Sequence, residues 1–151
     1  MIIRPMRPDE MDITVILMEY YRDEANLPDG EYDSDAMVES IRKLCINADS
    51  CWFNMYEGTR PVGLIAGYAV QLPWSRKLIA HVQFIYMLPS HRNLSNAKQL
   101  VNKFEEWAKT IGAEKLSAGD IGIDPERTRV FYEQVGFKES GCSLSKELIN
   151  E

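Results

Sequence analysis

Apolar residues along the chain recur at spacings that distinguish helices from strands. The clearest helix follows position 96, where the apolar residues on one face are Ala97, Leu100, Val101, Phe104, Trp107, Ala108 and Ile111. Gly112 ends this helix. Another helix runs from Pro8 to about Ala25, and a third is capped by Ser34 or Asp35. The apolar stripe of the third helix consists of Met37, Val38, Ile41, Leu44 and Cys45.

Extended apolar stretches separate these helices and predict a β-sheet. Strands are expected at residues 2–6, 51–56, 62–72, 78–87 and 115–123, with a last strand or pair of strands after Phe137. The sequence EGTR at residues 57–60 predicts a tight turn. Asp124 caps a short helix, which Gly136 ends. The order βααβββαβαβ predicts one α/β domain over residues 1–151, with a mixed central sheet flanked by about four helices.

Composition and charge narrow the class of protein. The chain has 151 residues, of which 45% are apolar and 26% charged, as in an ordinary globular domain. Its net charge of −6 argues against binding to nucleic acid or to an anionic membrane. No apolar run approaches the ~20 residues of a membrane span, and prolines and acids interrupt residues 1–12 before a signal sequence forms. We therefore expect a soluble cytoplasmic protein.

The cysteines do not predict a metal site. Cys45, Cys51 and Cys142 are odd in number and lack the spacing of metal ligands, and the chain has only two histidines. Free thiols, buried or half-buried at all three positions, are therefore expected in a reducing compartment, with no bound metal.

The junction between the strand at 78–87 and the long helix is the first candidate for chemistry. Its sequence is MLPSHRNLSNA at residues 87–97. Backbone N–H groups at the start of a helix lack helical partners, and the helix dipole attracts a phosphate group there. His91, Arg92 and Lys98 add local positive charge to an acidic protein. The alternative is an ordinary strand-to-helix connection with solvated basic side chains.

The second candidate is the segment FYEQVGF at residues 131–137. Phe131, Val135 and Phe137 are expected in the core, with Tyr132 beside them on the short helix. A tyrosine hydroxyl, whose reference pKa is about 10, can return a proton to a thiolate leaving group of pKa about 8.5 at little cost. The alternative is a tyrosine that packs its ring and exposes its hydroxyl.

These two segments resemble the motifs of the GNAT superfamily of acetyl-CoA-dependent N-acetyltransferases. The family pattern is V-x-P-x-x-(R/Q)-x-x-G-x-(G/A) at the end of a strand, followed by F/L-Y-E-x-x-G-F at the end of a later helix. The opening IIRPMRPDE at residues 2–10 resembles the family's first strand and helix, and the order of elements agrees from residue 2 to about residue 148. The resemblance implies a single-domain GNAT fold that transfers an acetyl group from acetyl-CoA to a primary amine.

The resemblance also implies a set of site residues. The backbone around Ile85 to Met87 would pair with the pantetheine arm of acetyl-CoA, and the N–H of Met87 or Leu88 would polarise the thioester carbonyl. The pyrophosphate would lie on the loop and the first turn of the long helix, at Arg92, Asn93, Leu94, Ser95, Asn96 and Ala97. Tyr132 would contact the cofactor and act as the general acid.

Two positions on the strand at 78–87 are open for the general base. The family often has a glutamate at one of them, and here they are His81 and Gln83. Gln83 cannot accept a proton, whereas His81, with a reference pKa of about 6.5, can. The equal alternative is a structural His81 whose ring nitrogens are satisfied by its neighbours.

Three positions depart from the family pattern. Ser95 stands where the family usually has glycine, and Asn93 replaces a second common glycine, so a close approach of the backbone to the pyrophosphate is in question. Pro125 replaces an asparagine that often contacts the cofactor arm, and it offers only its carbonyl. These departures leave open a second function, that of a GNAT-fold module that has lost catalysis and binds CoA or a protein partner.

Acidic residues cluster between Glu19 and Asp35, in and around the segment that joins the first two helices and that commonly borders the acceptor site in the family. They are Glu19, Asp23, Glu24, Asp29, Glu31, Asp33 and Asp35. Such a rim would attract a cationic amine such as a polyamine, an aminoglycoside or a basic peptide, and a solvated acidic loop is the alternative. Trp74 lies in a loop that could cover a substrate. The last strands around Gly141–Leu148 could pair across a homodimer.

Overall fold

The computed structural model describes residues 1–27, 30–119 and 124–149. The chain forms two compact units, Met1–Gly119 and Asp120–Glu151. The first unit contains β1 (Ile2–Pro5), α1 (Met11–Ala25), α2 (Ser34–Ile46), β2 (Ser50–Glu57), β3 (Arg60–Gln71), β4 (Leu78–Met87), α3 (Leu94–Thr110) and β5 (Ala113–Ala118). The second contains α4 (Pro125–Gln134). Over these residues the prediction of an α/β fold with a mixed sheet and four helices is confirmed.

Five strands form one sheet in the order β1-β2-β3-β4-β5. The first four are antiparallel neighbours, whereas β5 lies parallel to β4. Helix α3 makes the crossover that a parallel connection requires. The turn predicted at residues 57–60 joins β2 to β3, with Gly58 at a φ of +63°. The change from antiparallel to parallel pairing therefore occurs at β4, the strand that enters the candidate phosphate loop.

The apolar stripe predicted for α3 packs into the core. The fully or nearly buried side chains of this stripe are Ala97, Leu100, Val101, Phe104 and Ala108. The ring of Phe104 lies against Gly67 of β3, where an added Cβ would be 2.8 Å from that ring and would overlap the backbone oxygen of His81. The register between β3 and β4 shifts at this point. A glycine is therefore required for the helix and both strands to approach one another.

A buried polar network joins α1 to β2. Trp52 donates its indole N–H to Asn54 Oδ1 at 2.9 Å. Asn54 Nδ2 donates to Thr14 Oγ1 at 2.9 Å and to the hydroxyl oxygen of Tyr56 at 3.2 Å. Thr14 and Asn54 are fully buried. Because each of these polar groups has a partner, the network avoids the cost of an unsatisfied group in the core.

Helix caps agree with the sequence prediction at one helix and differ by a residue or two at another. Asp124 caps α4 as predicted, since its side chain accepts from the Arg127 N–H. The cap of α2 is Asp33 and not Ser34 or Asp35, because Asp33 Oδ1 accepts from both the Asp35 and Ala36 N–H groups. The Asp33 carboxylate thereby satisfies two N–H groups that have no acceptor within the helix.

The predicted C-terminal strands are wrong over residues 137–149, which contain no strand. Leu144, Leu148 and Ile149 are more than four-fifths exposed. This segment has few apolar residues and no regular alternation, so it presents no face for a sheet to bury. The predicted dimer contact at Gly141–Leu148 consequently loses its structural basis. The predicted strand at 115–123 is observed as β5, and residues 120–123 lie outside the described part of the chain.

Candidate active site

Among the described residues, the second half of β4 has no partner strand on the side of β5, and we call this side the open edge. Its pairing with β3 runs from Leu78 to Met87, but its pairing with β5 ends at Val82 within the described residues. Leu88 donates its N–H to the Val62 carbonyl at 2.9 Å. Because N–H and C=O directions alternate along an antiparallel strand, the backbone groups of Ile85 and Met87 point away from β3. They face the open edge, where an extended ligand can pair with them.

The loop after β4 becomes the first turn of α3 without a positive φ. Asn93 is the cap residue, with an extended backbone, and its Oδ1 accepts from the Asn96 N–H at 2.8 Å. Asn96 Nδ2 donates to the His91 carbonyl at 2.7 Å. Neither Asn93 nor Ser95 occupies a conformation that calls for glycine. The N–H groups of Leu94 and Ser95 have no acceptor within the helix, which is the arrangement that binds an anion.

A cluster of Glu24, Tyr86 and Arg92 joins α1 to the end of β4. Arg92 donates from Nη1 and Nη2 to the two carboxylate oxygens of Glu24 at 2.6 and 2.9 Å, and from Nη2 to the Met87 carbonyl at 2.7 Å. Tyr86 donates its hydroxyl to Glu24 Oε2 at 2.7 Å. Burial, together with this bond to a carboxylate, raises the pKa of Tyr86. The hydrogen bond to Glu24 raises the pKa of Arg92, so the guanidinium stays charged.

His81 lies in the part of β4 that is paired on both sides. Its Nδ1 is 2.8 Å from Ser117 Oγ on β5, and its ring is 5.5 Å from that of Tyr68 on β3. Burial lowers the pKa of His81, so the imidazole is neutral near pH 7. Ile85 is four residues further along β4, roughly 13 Å for an extended strand. A proton could therefore pass between His81 and a group at Ile85 only through intervening water.

Tyr132 lies near the end of α4 in the second unit. Its ring centroid is 5.0 Å from that of Phe131 and 5.1 Å from that of Phe137. Gly136 has a φ of +98°, and the Phe137 N–H donates to the Tyr132 carbonyl at 2.9 Å, which closes the helix. Pro125 is at the first position of α4, where a missing N–H costs nothing. The motif thus holds the half-buried Tyr132 between two aromatic rings.

The acetyltransferase (GNAT) family profile matches residues 12–137 of the chain. The protein belongs to this family. The resemblance found in the two sequence motifs is thereby confirmed. A curated relative, aminoglycoside N(6')-acetyltransferase type 1 from Acinetobacter genomosp. 13, is 32% identical over 62 residues. That stretch is 41% of this chain and 42% of the relative, so the match spans less than half of the relative's length.

Solved structures of aminoglycoside acetyltransferases share the fold of this GNAT chain. AAC(6')-Iy, in complex with the bisubstrate analogue CoA-S-monomethyl-acetylneamine, has a TM-score of 0.78 at 17% identity, covering 98% of this chain and 97% of that one. Meta-AAC0020, from an uncultured soil metagenomic sample and in complex with sisomicin, has a TM-score of 0.77 at 14% identity, covering 98% and 96%. At such identities the likeness shows the fold alone.

The predicted site residues of this GNAT protein occupy four places. Ile85 and Met87 lie on the open edge, and the predicted pyrophosphate residues Arg92–Ala97 follow in the loop and first turn of α3. His81 lies earlier on β4, and Tyr132 belongs to the second unit. Tyr86 is not apparent from the sequence, where it reads as one more apolar position of a strand. Within the described residues no cluster of His, Cys, Asp or Glu suits a metal ion, and no helix is long and apolar enough to cross a membrane.

Several of the predicted acidic rim residues have structural partners. Glu24 binds Arg92, Asp33 caps α2, and Asp23 pairs with Arg22 at 3.0 Å. Asp29 lies outside the described residues. The segment is therefore partly structural, while Glu31 and Asp35 are exposed to solvent. Trp74 is 81% exposed and lies in a shallow cleft formed by residues 71–76.

Proposed function

We propose that this GNAT protein transfers the acetyl group of acetyl-CoA to a primary amine by direct attack of the amine on the thioester. The observation that carries the proposal is the open edge of β4 at Ile85 and Met87, which leads into α3, where the N–H groups of Leu94 and Ser95 have no acceptor within the helix. Family membership supports the same chemistry. Acetyl-CoA supplies the activated acetyl group when bound. The residues of the chain hold it, polarise its carbonyl and move two protons.

The open edge fits the pantetheine arm of acetyl-CoA. Its amides can pair with the backbone of Ile85 and Met87 as an added strand would. We assign the Met87 N–H to the thioester carbonyl, because the Leu88 N–H already donates to Val62. The pyrophosphate is placed against the backbone of the first turn of α3, at Arg92, Asn93, Leu94, Ser95, Asn96 and Ala97.

Two proton transfers accompany the reaction. An amine with a pKa of about 10.4 is neutral in about one molecule in a few thousand at pH 7, a deficit of roughly 4–5 kcal/mol that a base has to offset in part. We assign this role to His81, acting through water, because burial lowers its pKa and keeps it neutral. We assign Tyr132 as the general acid for the departing thiolate. Its two aromatic neighbours hold its ring in one orientation.

For the acceptor we propose a cationic amine of the aminoglycoside or polyamine class. The partial relationship to an aminoglycoside acetyltransferase supports this class. The exposed carboxylates of Glu31 and Asp35 support it as well, since they attract a cation. The free thiols Cys45, Cys51 and Cys142 are consistent with our proposal of a cytoplasmic location.

A thermal melt with acetyl-CoA tests binding, with adenosine diphosphate as the control. At 100 times Kd a ligand adds about 2.7 kcal/mol, which raises the melting temperature of a chain of this size by roughly 5–10 °C. Release of free thiol in the presence of aminoglycosides, polyamines or basic peptides then tests transfer. Tyr132→Phe should lower kcat by about 10²- to 10⁴-fold with little change in acetyl-CoA affinity. Unchanged turnover would remove Tyr132 from the mechanism.

The alternative function is a module that binds CoA or a protein without catalysis. It draws on the departures at Asn93, Ser95 and Pro125. The extended backbone at Asn93 favours the enzyme, because that position does not require the conformational freedom of glycine. Binding of acetyl-CoA without transfer to any amine would support the module. No melting shift at millimolar acetyl-CoA would contradict the enzyme.

A further inference from the structure

We propose that Arg92 and Glu24 form a clamp that positions the end of β4, and that the Arg92 side chain acts through the Met87 carbonyl and does not bind phosphate itself. Tyr86 is the third member of the clamp, because its hydroxyl donates to Glu24. This inference rests on the proposed function, which places the thioester carbonyl at the Met87 N–H. It makes Arg92 and Glu24 positioning residues, and it leaves the pyrophosphate to the backbone of α3.

The guanidinium of Arg92 is already engaged. Its Nη1 donates to Glu24, and its Nη2 donates both to Glu24 and to the Met87 carbonyl. A bidentate arginine–carboxylate pair is among the strongest charge-assisted contacts in proteins. Nη2 takes part in both bidentate faces of a guanidinium, so a bidentate phosphate contact would have to displace either the carboxylate or the carbonyl. The side chain is therefore poorly available as a phosphate ligand, although it stands in the phosphate loop.

The Arg92 guanidinium contacts the end of β4 at both Met87 and Tyr86. Arg92 holds the carbonyl of Met87, and its guanidinium carbon lies 5.6 Å from the centre of the Tyr86 ring. Tyr86 is 9% exposed, and its hydroxyl donates to Glu24 Oε2, so the Glu24 carboxylate is held by β4 as well as by Arg92. The Met87 carbonyl and N–H both point to the open edge. The two groups lie in adjacent peptide planes joined at the Met87 Cα, so a contact that fixes the carbonyl limits rotation about that Cα and thereby the direction of the N–H that the reaction uses.

Glu24 extends this control to α1. It lies in the last turn of that helix, 68 residues before Arg92 in the chain. The Glu24–Arg92 ion pair therefore connects the end of α1 to the end of β4. It also fixes the position at which the segment after α1 begins. Loss of either partner should therefore misplace the Met87 amide without removing any group that touches the pyrophosphate.

The test separates acetyl-CoA affinity from turnover. We expect Arg92→Gln and Glu24→Gln each to lower kcat by about 10- to 100-fold, the usual effect of a small misplacement, while the Kd for acetyl-CoA measured by calorimetry changes less than 3-fold. The double variant should lose no more than either single variant, because both break one clamp. Arg92→Lys should not restore kcat, since an ammonium cannot bridge the carboxylate and the carbonyl as a planar fork does.

A matched control comes from Arg4 and Glu10, which form the same bidentate pair at 2.7 and 2.7 Å between β1 and the turn before α1. Glu10→Gln should lower stability and leave kcat and Kd unchanged. A 10-fold or larger rise in Kd for Arg92→Gln, or an unchanged kcat, would overturn the clamp.

Failure of the proposed function gives a different result. A wild-type protein that neither binds acetyl-CoA nor acetylates any amine contradicts that function. In that case, urea unfolding of Arg92→Gln, Glu24→Gln and the double variant tests whether the two residues form the clamp. Non-additive losses of stability support it, and additive losses overturn it.

Discussion

Replacing Asn54 with leucine removes the amide at the centre of the buried network and keeps a side chain of similar size. The indole N–H of Trp52, a residue only 2% exposed, then loses its acceptor in a place that water does not reach. A buried donor left without a partner costs about 1–3 kcal/mol. Thr14 keeps its bond to the Glu10 carbonyl at 3.1 Å, so its loss is smaller. We expect a net loss of about 2 kcal/mol, which lowers the melting temperature by roughly 4–8 °C.

Urea unfolding followed by circular dichroism measures this loss, and a cycle with Trp52→Phe identifies its source. Phenylalanine has no N–H, so Asn54→Leu should cost at least about 1 kcal/mol less in the Trp52→Phe background. An equal cost in both backgrounds would refute the reasoning. In that case the loss of stability would come from altered packing and not from a Trp52 indole N–H without an acceptor.

Three further predictions concern packing, acid stability and thiol reactivity. Gly67→Ala should lower the free energy of unfolding by about 3 kcal/mol or more in urea, because the added Cβ would overlap the His81 carbonyl. The control Gly141→Ala, whose added Cβ would lie in open space, should change that free energy by less than about 0.5 kcal/mol. The bond to Arg4 lowers the pKa of Glu10 from 4.5 to about 2, so its contribution to stability is present above about pH 4.5 and is lost as the pH falls towards 2. Glu10→Gln should flatten acid unfolding curves in that window, and unchanged curves would contradict this linkage. A maleimide should label exposed Cys142 in the folded protein but not buried Cys51, whose pKa burial raises to about 12, and early labelling of Cys51 would contradict its burial.

Features that depend on neighbouring residues could be predicted from the sequence. The stripe of α3, the turn at 57–60 and the Asp124 cap all arise from residues within a few positions of one another, so spacing alone indicates them. The family motifs are equally local, and the family profile confirms the membership that they indicated. The predicted C-terminal strands are wrong because residues 137–149 present no apolar face, and a strand without one depends on a partner that the local sequence does not specify.

By itself, the sequence of this protein determined the helices, the turns, most of the strands and the family. The tertiary structure alone decided which backbone groups of β4 are available. Pairing with β3 engages the Leu88 N–H and turns Met87 to the open edge, and a one-residue change of register would reverse the two. It also decided that Arg92 meets Glu24 and not solvent. Contacts between residues so far apart depend on strand order, register and helix packing, which emerge only when the whole sheet has assembled.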